Sequence, residues 1–89
     1  MPTVPDVILN GKEFQDVYAE TGIEVGKPVT VQNKTSASIY VQNTKDKPSD
    51  ESTDGFILRP YDHIPVTGQI TGLWVKSMGG GTVLVEEIT

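Results

Sequence analysis

The chain contains no cysteine. Neither a disulfide nor a thiolate-held metal can stiffen it, and a disulfide-stapled secreted module is excluded. Aromatic residues are scarce: Phe14, Phe56, Trp74 and three tyrosines make up 7% of 89 residues. No apolar run approaches the ~20 residues that a membrane-crossing helix requires. Residues 1–6 carry neither a basic stretch nor an apolar core of signal-peptide length. The expectation is a protein made and used soluble, in the cytoplasm, with no membrane partner. Positive charge is also short, with seven Lys and Arg against twelve Asp and Glu for a net charge of −5. The bases are scattered as Lys12, Lys27, Lys34, Lys45, Lys47, Arg59 and Lys76. Nucleic-acid affinity rests on phosphate contacts, so direct DNA or RNA binding is not expected.

Hydrophobic content is low, at 36%. One domain of this size hides about 60–65% of its unfolded surface and is marginal alone. Burial of apolar surface against other copies is one remedy.

What is present is β-branched alternation. In residues 29–41, Val29 and Val31 fall opposite Thr30 and Gln32, and Ile39 and Val41 fall opposite Ser38, Tyr40 and Gln42. A period of two marks half-buried strands, and the Asn-Lys-Thr-Ser tip between them supplies turn chemistry. This reads as a β-hairpin at the centre of an antiparallel sheet. Residues 1–6, with two prolines, read as an extended arm ahead of a single β domain over 7–89. Val7-Ile8-Leu9 is a short strand, and the Asn10-Gly11 after it is a strong hairpin signal. In residues 12–21, Phe14, Val17 and Tyr18 have helical spacing and Asp16, Ala19 and Glu20 suit a helix turn, but no clean strand appears, and the stretch reads as extended chain with an irregular turn. The polar stretch 43–54 reads as a long solvated loop. Further strands start at Phe56 and at Gly72, and the last, from Thr82, follows a Gly79-Gly80-Gly81 hairpin loop. Pro60 and Pro65 keep the intervening piece at a sheet edge or outside the sheet. Strands at roughly 10-residue intervals with Gly and Pro punctuation predict an all-β fold. The architecture expected is a small antiparallel β-sandwich or β-barrel of six to seven short strands.

Constellations that carry chemistry are few. Residues 50–55 place oxygen ligands and a glycine as an EF-hand loop begins, but Tyr61 stands where the closing glutamate belongs. His63 is the lone histidine. Its neighbour Asp62 points the other way on a strand, and no Gly-x-Ser-x-Gly accompanies it. The triple glycine leads into a strand, not into a helix that could hold phosphate. No cofactor, metal or catalytic residue is expected, and the chain is not read as an enzyme. Asn33-Lys34-Thr35 matches a glycosylation sequon without a secretion signal. Trp74, Tyr18, Tyr40 and Tyr61 could line a sugar-binding face, which leaves a carbohydrate- or receptor-binding β-module as the alternative function.

Counting apolar side chains points to assembly. Val7, Leu9, Val29, Val31, Ile39, Val41, Phe56, Leu58, Leu73, Val75, Val83 and Val85 fill one modest core. Val4, Ile8, Ile57, Trp74, Leu84 and Ile88 are left over, an apolar excess that soluble monomers rarely expose. Val4, Pro5, Ile57, Trp74, Leu84 and Ile88 are therefore the candidate interface. Asp46, Asp50, Glu51 and Asp54 on the long loop are candidate partner contacts.

Several short strings carry a resemblance: Gly22-Ile23-x-Val25-Gly26, Val31-Gln32-Asn33-x-Thr35-Ser36, Ile39-Tyr40-Val41, the loop with Pro48, Asp54-Gly55-Phe56-x-Leu58-x-Pro60, Trp74-Val75-Lys76-Ser77 and Gly81-x-Val83-x-Val85. Together, over about residues 14–87, they are similar to small structural proteins of tailed bacteriophages, of the head-decoration, head-fibre and neck or tail attachment types. The resemblance implies a non-enzymatic virion protein that meets other virion proteins through its surfaces. It also implies symmetric copies, a trimer before a dimer.

Overall fold

Every second side chain between Val29 and Asn33 is sealed from solvent, and the same rhythm recurs in Ile39–Val41 and Leu73–Ser77. Such a rhythm needs a second layer to bury against, and the chain supplies one from its own strands. The computed structural model describes residues 6–88. Its strands are β1 (Val7–Leu9), β2 (Gln15–Asp16), β3 (Val29–Asn33), β4 (Ile39–Asn43), β5 (Phe56–Leu58), β6 (His63–Val66), β7 (Leu73–Ser77) and β8 (Gly81–Glu87), with one short helix, α1 (Val17–Thr21), after β2. They form two four-stranded sheets, sheet I in the order β1-β8-β3-β6 and sheet II in the order β2-β7-β4-β5.

All the pairings are antiparallel. The first strand pairs with the last, the second with the seventh, the third with the sixth and the fourth with the fifth. The chain is thus one long ribbon whose tip is the β4–β5 loop. Rolling it up adds the pairs β3·β8 and β4·β7. This is the strand order of a jelly roll. The β-sandwich expectation holds, with eight strands where six to seven were expected. The surplus comes from the two-residue β2 and from β6, whose Pro65 is accommodated because β6 is an edge strand.

Every connection except β4–β5 crosses between the sheets, and this corrects three readings. Residues 29–41 do not form a hairpin. β3 and β4 lie in opposite sheets, each an inner strand, joined by an arch. The arch folds on Asn33, which is fully buried. Its Nδ2 donates to the carbonyls of Ala37 (2.7 Å) and Leu58 (2.9 Å), and its Oδ1 accepts from the Thr35 amide (2.8 Å). Asn10-Gly11 likewise turns the chain from sheet I to sheet II, with the Asn10 Oδ1 accepting from the Lys12 and Glu13 amides. Gly79-Gly80-Gly81 makes the return crossing. Gly81 has φ +106°, and a Cβ there would lie 2.5 Å from the Thr35 Cγ2, so a side chain would push the two arches apart.

Residues 12–21 also differ from expectation. After β2, Asp16 caps α1 by accepting from the Tyr18 (3.0 Å) and Ala19 (3.3 Å) amides, and Gly22 ends it at φ 79°. The helical spacing of Val17 and Tyr18 was the correct signal, but two caps around a single turn leave no room for a sustained period to outweigh an extended reading. The helix buries Val17 and Tyr18, and the Tyr18 hydroxyl donates to the Lys27 carbonyl at 2.8 Å. Burial pushes that phenol above its ordinary pKa.

The core between the sheets contains the aliphatic set read from alternation, joined by Val17, Tyr18, Val66 and Ile70. Phe56 is the exception. Leu58 is buried where the Asn33 arch roofs it, whereas Phe56, at the other end of edge strand β5, is exposed.

Candidate interaction surface

The pleat and the registers place two rows on the outer face of sheet II. One row is Asp16, Trp74 and Gln42. The next is Lys76, Tyr40 and Ile57, with Phe14 opposite Lys76 one pair beyond β2. The part of this face over β2 and β7 and the part over β4 and β5 beyond Gln42 have different fates.

The long loop covers the first half. The Trp74 indole donates to the Thr44 carbonyl at 3.0 Å, while the Thr44 amide bonds the Gly72 carbonyl at 3.0 Å. Gln42 Nε2 donates to the Ser52 hydroxyl at 2.8 Å, the Lys76 ammonium to the Asp50 carbonyl, and Lys47 pairs with Glu13. Phe14 sits beneath, 1% exposed, with the Lys76 Nζ 5.9 Å from its ring centre. The expected solvated loop is found, with most of its residues exposed, and it also straps this part of the face through those bonds. Its polar composition hid this, because the bonds are made by backbone carbonyls and by side-chain tips. The hydrogen bond and charge of Lys47 hold the Glu13 carboxyl below its ordinary pKa, and Glu13 holds the Lys47 ammonium above its own.

The second half is bare. Ile57 is 63% exposed and Met78 is 67% exposed. Tyr40 lies half-buried between Ile57 and Lys76. Where the strap ends, an open cleft of about 270 Å³ has Tyr40, Lys76 and Met78 as its floor and residues 50–53 as its wall. Ile57 was legible as a leftover apolar residue. Met78 was hidden inside a glycine loop, and Tyr40 was visible only as one of several aromatics.

The remaining candidates are dispersed. Val4 and Pro5 lie outside the described residues. Trp74 is half-buried under the strap, with its indole nitrogen satisfied. Leu84 is half-buried on the outer face of sheet I, opposite Gln32, and the Ile88 amide bonds the Pro28 carbonyl at 2.9 Å. Of the loop acids, Asp50 and Glu51 wall the cleft, while Asp46 and Asp54 are exposed outside it. The aromatics do not form a common face: Tyr18 is core, Trp74 is covered, Tyr40 floors the cleft and Tyr61 projects from the β5–β6 turn.

That turn has a feature that the sequence does not announce. Tyr61 has φ 65°, the only positive φ outside glycine among the described residues, and is 66% exposed. Its amide donates to the Asn33 carbonyl at 2.7 Å, and Asn33 donates to the Asp62 carbonyl at 2.9 Å. The backbone is held left-handed from outside while the ring packs on little.

His63 is exposed, opposite Gln32 on β6. Among the described residues no three His, Asp or Glu converge as metal ligands, and every buried polar side-chain atom has a hydrogen-bond partner. Asn33, the sequon residue, is sealed and spends its amide on the arch, so the folded chain offers no glycosylation site there. No protein-family model, no curated protein and no solved structure matches the chain.

Proposed function

We propose that the chain is a non-enzymatic structural protein of a tailed-phage virion, a capsid-decoration, head-fibre or head-tail attachment protein that acts in several copies through protein–protein surfaces. The observation that carries the reading is the jelly-roll strand order, an architecture that recurs in viral capsid domains and in lectins. This is an analogy of fold, and it adds to the short sequence strings that resemble phage structural proteins. The buried polar groups Asn33, Thr35 and Ser77 are consumed by turns, which leaves recognition to surfaces.

The genes beside the coding sequence test the proposal. Capsid, portal or tail genes are expected on either side, together with recovery of the protein from purified virions. A metabolic operon, or virions without the protein, overturns it.

A sugar-binding module is the second reading. Its support is the cleft, where a tyrosine floor meets Asp50, Glu51 and Ser52. It predicts glycan-array binding that Tyr40→Ala abolishes and that Trp74→Ala affects less.

A further inference from the structure

We propose that the bare half of the outer face of sheet II is a self-contact, through which two copies pack face to face across a two-fold axis. Each Arg59 then meets the Asp50–Glu51 wall of the other copy. The inference rests on the reading of the chain as a multi-copy assembly protein, and it names the contact.

The apolar part comes first. Ile57 and Met78, both about two-thirds exposed, flank Tyr40 on one face of one sheet. Ile8, 75% exposed, stands beside Thr82 on the other sheet, where the one apolar side chain near it, Leu84, is already half-buried. Exposed apolar side chains scattered singly need no explanation, whereas a group on one sheet face does.

Charge then selects the occupant. Leu58 points into the core, and Arg59, the exposed residue immediately after β5, continues that pleat toward the outer face at the sheet edge. Asp50 and Glu51 stand at the opposite side of the bare strip, on the strap. About two strand spacings, ~10 Å, separate β5 from β7. Arg59 is exposed and forms no ion pair among the described residues, where the pairs are Lys34–Asp6 and Lys47–Glu13. Lys76 lies at the acid side, its ammonium held by the Asp50 carbonyl. A strip with Arg59 at one side, the Asp50–Glu51 carboxylates at the other and Ile57, Tyr40 and Met78 between complements itself when turned by a two-fold rotation that sets the two sides over each other. That operation brings cation over carboxylate twice and Ile57, Tyr40 and Met78 against their counterparts. Superposing copies without the rotation would set acid on acid, in a chain whose net charge of −5 already repels its copies.

The test is sedimentation equilibrium of the full-length protein at micromolar concentration. The expected species has twice the 9.7 kDa protomer mass. Arg59→Glu alone, and Asp50→Arg with Glu51→Arg, should each weaken association at least tenfold, because each sets like charges together. An equimolar mixture of the two variants should restore the dimer, because every contact in the mixed pair is again of opposite sign. All three positions are exposed, so circular dichroism should be unchanged. An oligomer indifferent to Arg59→Glu and to Ile57→Glu places the contact elsewhere and overturns this inference while leaving the multi-copy reading intact. A wild-type monomer overturns both. Glycan binding that Tyr40→Ala abolishes, with no change in mass, gives the face to a sugar and overturns the self-contact.

Discussion

Asn33 and Leu58 belong to different sheets and lie 25 residues apart, yet the Asn33 side-chain amide donates to the Leu58 carbonyl at 2.9 Å. The same amide holds the Ala37 carbonyl, and its oxygen holds the Thr35 amide. One buried side chain therefore closes the β3–β4 arch and ties it to the end of β5.

Asn33→Ala removes the side-chain partner of the Leu58 carbonyl and of the Thr35 amide, while the Ala37 carbonyl keeps the Thr35 hydroxyl at 2.6 Å. Unmade buried bonds cost about 1–3 kcal/mol each, with partial relief from water. The expected loss of unfolding free energy is about 3 kcal/mol in urea denaturation. Asn33→Asp should be worse, because it buries a carboxylate against the two carbonyl oxygens in place of the amide that donates to them. A loss below about 1 kcal/mol for the alanine variant would show that the arch is held by other means.

Tyr61→Gly should stabilise the protein. A non-glycine residue in the left-handed region costs about 1–3 kcal/mol, against about 0.5–1 kcal/mol for the added freedom of glycine in the unfolded chain. The ring is two-thirds exposed, so little packing is lost. A midpoint shift worth about 1 kcal/mol toward higher denaturant is expected. Unchanged or lower stability would mean that the ring contributes packing equal to the strain.

Deletion of residues 47–52 should leave a folded domain, because the main core lies between the sheets and a shorter loop closes at little entropic difference. It should not be silent. It removes the Lys47–Glu13 pair and the bonds that Gln42 and Lys76 make to Ser52 and Asp50, so a modest loss of stability is expected. The Trp74 emission should also move to longer wavelength as the strap leaves. A variant as stable as the parent with unshifted emission would contradict the strap.

The Glu13–Lys47 pair gives a pH dependence of known sign. The carboxyl is depressed in the fold, so its contribution is present above the ordinary value of 4.5 and fades as pH falls through the folded value. The ammonium is raised, so its contribution is present below 10.5 and fades as pH rises through the folded value. Tyr18, raised by burial, adds to the alkaline limb in the same direction. Thermal melts should show Glu13→Gln flattening the acid limb and Tyr18→Phe flattening part of the alkaline one. Both residues of the pair face solvent, so 1 M salt should erase most of the acid effect. An acid limb identical in Glu13→Gln removes the pair as its cause.

Alternation alone determined which faces of β3, β4, β7 and β8 would be buried, because side-chain direction in a strand is a local property. Val29, Val31, Ile39, Val41, Val75, Val83 and Val85 are where their period of two puts them. Which sheet each strand joins is not local. Asn10-Gly11, the Asn33 arch and the triple glycine all carry turn chemistry, and turn residues specify a reversal of direction without saying whether the chain returns to the same sheet or crosses to the facing one. Only the packed sandwich decided that, since crossing at each of these points is what lets both sheets bury their apolar faces against each other. The strap was beyond local reading for a related reason: a polar segment shows where it cannot be buried, and the carbonyls with which Thr44 and Asp50 meet Trp74 and Lys76 are common to every residue.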